Sequence, residues 1–72
     1  MIYNLTPREL DVMQLLMHFK TRKQISALLD ISYYTVNSHM YSICKKVGVH
    51  KQVELIAYAE ANGFGREEVI NG

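Results

Sequence analysis

Seventy-two residues, 49% of them apolar and 21% charged, make one small globular domain and leave no room for a second. A single cysteine, Cys44, excludes an intramolecular disulfide and a thiolate zinc site, and His18, His39 and His50 are too scattered to complete a metal cluster, so neither metal nor cofactor is expected. The net charge of +1 conceals a segregation: between Lys20 and Lys51 six cations face one acid, Asp30, whereas outside that window Arg8 and Arg66 stand against six acids. A basic middle between acidic ends can meet a polyanion despite a near-neutral total.

In chain order, Thr6-Pro7-Arg8-Glu9 supplies an N-cap hydroxyl, a proline at the first helical position and a glutamate able to close a capping box. Leu5, Glu9, Val12, Met13 and Leu16 then recur at helical spacing, which predicts a first helix from about Pro7 to Phe19. Thr21-Arg22-Lys23-Gln24 repeats the capping pattern and opens a short second helix, about Arg22 to Leu29, carried by Ile25, Leu28 and Leu29. Asp30-Ile31 breaks the chain, aspartate being one of the few residues besides glycine that tolerate a left-handed backbone. Ser32 caps a third helix, about Tyr33 to Val47, that stops at Gly48. A fourth, about Lys51 to Asn62, ends before Gly63, and the tail from Phe64 to Gly72 is expected to fray. No strand pattern or repeat interrupts this series. The fold class is all-α, with residues 1–63 as the domain and 64–72 as a flexible tail.

A short helix, a tight turn and a longer helix make a helix-turn-helix, whose second element enters the major groove of duplex DNA. Val36, Met40, Ile43 and Val47 form one apolar stripe along the third helix. The opposite side carries Tyr34, Ser38, Tyr41 and Lys45, with Asn37 on one shoulder and Thr35, His39 and Lys46 on the other. No acid lies between Ile31 and His50. Hydroxyls, an amide and ammonium groups can therefore approach phosphates and base edges without repulsion, and asparagine can pair with adenine through two hydrogen bonds. At the start of the second helix, free amides and the side chains of Thr21, Arg22 and Lys23 converge where a backbone phosphate can sit. Ser26 is small where the two helices cross.

The chain resembles the LuxR-type (GerE-like) helix-turn-helix family of bacterial transcription regulators. The resemblance is carried by Leu5-Thr6-Pro7-Arg8-Glu9 with Val12-Met13 and Leu15-Leu16, by Thr21-Arg22-Lys23-Gln24-Ile25, by Ile31-Ser32, by Thr35-Val36, His39, Ile43 and Lys45-Lys46, and by Gly48-Val49. It runs without gaps from about Leu5 to Gly63. It implies a four-helix domain that binds promoter DNA as a homodimer, with the fourth helix supplying much of the dimer contact. It implies Asn37, Ser38 and Tyr41 as base readers, and Lys23, Thr35, Lys45 and Lys46, with Tyr34, at phosphates; Thr21 joins these from the helix-start reading. Phe19, Ser26, Asn37, Val47 and Gln52 depart from the family's usual glycine, alanine, basic residue, leucine and arginine. Losing a cation at Asn37 should weaken generic affinity and alter which base is read there, and Gln52 puts one usual support of the loop before the fourth helix in question.

On that fourth helix Leu55, Ile56, Ala59 and Asn62 group toward the core, while Val53, Ala57, Glu60 and Ala61 group outward as the expected dimer face. Leu10 and Met17 are apolar where a solvated face is expected. RNA polymerase and a covalently linked regulatory domain are further candidate partners. Cys44, at the edge of the apolar stripe, reads as packing. No nucleophile–base–orienter set, paired carboxylates or phosphate-cradling glycine loop is present, so an enzyme is not expected. No long apolar run or charged leader occurs, and a cytoplasmic setting without membrane contact is expected. The alternative is a protein-interaction helix-turn-helix module that sequesters a regulator without touching DNA. An acid-free third helix, which such an adaptor would not need, favours DNA.

Overall fold

The computed structural model describes residues 4–63, and the expected tail over 64–72 lies outside them. Four helices occur among the described residues: α1 (Pro7–Met17), α2 (Arg22–Leu29), α3 (Tyr33–Val47) and α4 (Gln52–Ala61). Each of the first three begins where a hydroxyl side chain replaces a missing carbonyl. Thr6 accepts from the Glu9 amide while Glu9 returns a bond to the Thr6 amide, and Thr21 and Gln24 form the same reciprocal pair. Ser32 accepts from the Thr35 amide. At α4 Glu54 alone does this work, its Oε1 accepting from the amides of His50 and Lys51.

The first three helices end alike. A residue in the left-handed conformation follows each: Phe19 at φ 63°, Asp30 at φ 57° and Gly48 at φ 89°. The next amide then folds back to a carbonyl five residues earlier, Lys20 to Leu15, Ile31 to Ser26 and Val49 to Cys44, at 3.0–3.1 Å. This is the Schellman ending, which satisfies otherwise orphaned carbonyls. It also corrects the expected extent of α1, which stops at Met17 because Phe19 takes the left-handed turn. Helix α4 is one residue shorter at each end than the periodicity suggests, Lys51 and Asn62 serving as its caps. Asn62 is exposed, donating Nδ2 to the Tyr58 carbonyl, and so does not join the core as expected.

Nine buried side chains form that core: Val12, Met13 and Leu16 of α1, Ile25 of α2, Val36, Met40 and Ile43 of α3, and Leu55 and Ala59 of α4. Helix α3 packs against the other three. Its apolar stripe is thus enclosed from several sides, each large side chain contributing about 1.5–3 kcal/mol through burial. Fixing that stripe fixes what the other side of α3 presents to solvent.

Candidate nucleic-acid interface

The outward side of α3 is what the apolar stripe leaves over. Tyr34 is 78% and Tyr41 68% exposed, and Ser38 and Lys45 are exposed between and beyond them. The Lys45 ammonium lies 5.6 Å from the centroid of the Tyr41 ring, near enough for a cation–π attraction. Thr35 is half-buried, its hydroxyl 2.9 Å from that of Ser32, so it braces the start of α3. His39 is half-buried on the same flank. Thr21 and Lys23 stand exposed at the start of α2. The α2 amides of the first turn have no carbonyl within their own helix, and Thr21 occupies the one of Gln24.

Two of the cations are placed otherwise than the sequence suggests. Arg22 does not join Thr21 and Lys23 at the helix start. Its Nη1 donates to Asn37 Oδ1 at 2.5 Å, and its Nε and Nη2 donate to Gln52 Oε1 at 3.2 and 2.9 Å. One guanidinium thereby ties the first residue of α2 to the shoulder of α3 and the first residue of α4. The loop before α4 is supported from Arg22, with Gln52 as acceptor. Asn37 is half-buried, whereas Ser38 and Tyr41 face solvent.

Lys46 is the second. Its Nζ lies 2.8 Å from Glu9 Oε1 and 2.9 Å from the Asn4 carbonyl, and Ser42 donates to Glu9 Oε2 at 2.7 Å. Glu9 is only 4% exposed. Burial by itself would raise its pKa. The bonds from Lys46, Thr6 and Ser42, with the charge of Lys46, outweigh that and hold the carboxyl down from 4.5 to about 2. Lys46 is therefore a lock between α1 and α3, and its charge is neutralised within the protein. The signal was present in the sequence, since Glu9 falls in register with Leu5, Val12, Met13 and Leu16: an acid on the core-facing stripe of α1 requires a partner.

Beside Tyr41 an open cleft of about 220 Å³ is lined by Arg22, Asn37, Met40, Tyr41, Cys44, His50 and Gln52. Burial pushes the Cys44 thiol up despite the nearby Arg22 charge, which makes it a poor nucleophile and consistent with packing. Among the described residues no group of three or more His, Cys, Asp and Glu side chains can hold a metal, and no helix is long and apolar enough to cross a membrane. On α4, Val53 is 70% exposed, and Ala57, Glu60 and Ala61 are exposed along the same side.

A four-helix domain whose α2 and α3 form a helix-turn-helix, with an acid-free outward face on α3, is a DNA-binding module of transcription regulation. Residues 3–59 match the family described as "Bacterial regulatory proteins, luxR family", and the chain belongs to that family. Among its relatives, the uncharacterized response regulatory protein YgeK of Escherichia coli is 44% identical over 76% of this chain and 37% of its own length. The transcriptional regulatory protein MctR of Rhizobium johnstonii is 36% identical over 83% of this chain and 28% of its own. The response regulator UvrY of Escherichia coli is 32% identical over 94% of this chain and 31% of its own. The chain thus spans about a third of the length of these relatives. No solved structure matches it.

Proposed function

We propose that this domain reads a specific operator in double-stranded DNA by laying α3 in the major groove, and that it does so as a homodimer through α4. The observation that carries the reading is the outward side of α3, where Tyr34, Ser38, Tyr41 and Lys45 are exposed and no acid stands between Ile31 and His50. Ser38 and Tyr41 meet base edges, Ser38 by hydrogen bond and Tyr41 by apolar contact with a thymine methyl, and Asn37 joins them from the shoulder. Thr21, Lys23, Tyr34, Thr35 and Lys45 hold phosphates and set the register of the helix. Lys46 is left out of that set because its ammonium serves Glu9.

The exposed stripe of Val53, Ala57, Glu60 and Ala61 permits two α4 helices to approach closely across a two-fold axis. Two half-sites about one helical turn apart would then be read together. Such a regulator works in the bacterial cytoplasm. RNA polymerase, or a regulatory domain joined to this one, is the partner that converts binding into a change of transcription. Selection of preferred sites from a random duplex pool tests the reading. The expected result is a repeated half-site whose preferences change with Ser38→Ala and Tyr41→Ala. A pool without any enriched motif contradicts it and favours the protein-sequestering alternative.

A further inference from the structure

Asn37 is held by Arg22 in a way that limits what it can recognise. A guanidinium has donors only, so the end of the Asn37 amide that faces Arg22 Nη1, 2.5 Å away, must be the oxygen. Arg22 is in turn fixed by two bonds to Gln52 Oε1. The amide is therefore oriented from behind, with Oδ1 engaged and Nδ2 as the end remaining for a ligand. Both side chains line the open cleft beside the exposed Tyr41, so the pair is reachable from the α3 surface. Three of the five Arg22 donors are accounted for by these bonds.

Resting on the DNA-binding reading above, we infer that Arg22 is a specificity-determining residue: by taking the oxygen of Asn37 it makes this position a reader of acceptor edges, selecting guanine over adenine. Paired recognition of adenine needs Oδ1 to accept from N6 while Nδ2 donates to N7. Oδ1 keeps a second lone pair, but an adenine amino group reaching it would arrive beside the guanidinium, donor against donor. Guanine presents N7 and O6, both acceptors, to the Asn37 Nδ2 donor and the positive guanidinium beside it. The expectation of a paired asparagine–adenine contact, natural from the sequence, gives way to this one.

The test is site selection from a random duplex pool with the 72-residue chain and its Arg22→Met, Asn37→Asp and Asn37→Ala variants. Asn37→Ala identifies the operator position that depends on Asn37. The wild type is expected to favour guanine there over adenine by about fivefold to a hundredfold. Arg22→Met frees the amide oxygen and shifts the preference to adenine at that position alone. Should Arg22→Met fold poorly, Asn37→Asp keeps the Arg22 contact; it replaces donors by acceptors and is expected to shift selection from guanine to cytosine. Adenine chosen by the wild type at that position overturns the assignment of Arg22 while leaving DNA binding intact. So does guanine retained by Arg22→Met or Asn37→Asp. A pool with no enriched sequence for the wild type overturns the DNA reading and this inference together.

Discussion

The ammonium of Lys46 lies 2.8 Å from the carboxylate of Glu9, across thirty-seven residues of chain and between α3 and α1. Glu9 also closes the capping box of α1 and accepts from Ser42, so one buried carboxylate starts a helix and docks another. Folding favours its ionised form, since its pKa falls from 4.5 to about 2. That contribution is complete above pH 4.5 and is lost as pH falls toward 2. Glu9→Gln is expected to lower stability by about 3 kcal/mol at pH 7, the linkage value of such a shift. The gap between wild type and variant should close between pH 4.5 and 2 in denaturant unfolding. Curves that stay parallel over that range would refute the ion pair's role.

Lys45 and Lys46 are neighbours with different tasks. Lys46→Met strands the Glu9 charge and is expected to cost on the order of 2 kcal/mol of stability. The salt dependence of DNA binding by the folded fraction should remain unchanged. Lys45→Ala is expected to leave stability within about 0.5 kcal/mol, since Lys45 is exposed. It should flatten the slope of log affinity against log salt by about 0.9, the loss of one phosphate contact. Thermal unfolding and binding titrations on the two variants check both halves.

Phe19 adopts φ 63° while 86% exposed. A left-handed backbone costs a side chain with a Cβ roughly 1–2 kcal/mol, and this ring recovers little of that by burial. Phe19→Gly is therefore expected to stabilise the domain by about 1 kcal/mol, raising Tm by roughly 4–8 °C for a chain of this size. A lower Tm would mean that the ring packs more than its exposure indicates.

If α4 is the dimer contact, a bulky charge on its exposed stripe should separate the subunits without unfolding them. Ala57→Arg is expected to reduce affinity for a two-half-site duplex by about tenfold or more while leaving the circular dichroism spectrum and single half-site binding unchanged. Equal affinity for the paired site would place the dimer contact elsewhere.

Much of this molecule is legible in its sequence because short-range chemistry writes it there. Capping residues Thr6, Thr21 and Ser32, the left-handed Asp30 and Gly48, and the stripe of Val36, Met40 and Ile43 all act within one or two helical turns. The positions of Ser38, Tyr41 and Lys45 follow from that stripe by helix geometry alone. What could not be read were the long-range polar partnerships of Lys46 with Glu9 and of Arg22 with Asn37 and Gln52. Periodicity says which side of a helix a cation occupies, but not which distant oxygen its flexible stem reaches. The turn at Phe19 was missed because propensity assigns such a conformation to glycine, and the helix end overrode it.

The most direct measurement of the central claim is a binding titration of the chain on duplex DNA at several salt concentrations. With Lys23 and Lys45 each neutralising a phosphate, the chain should give a linear fall of log affinity with log salt, with a slope of about −0.9 for each such contact. A response that is flat across the salt series would contradict the account, because no groove of phosphates would then lie against α3.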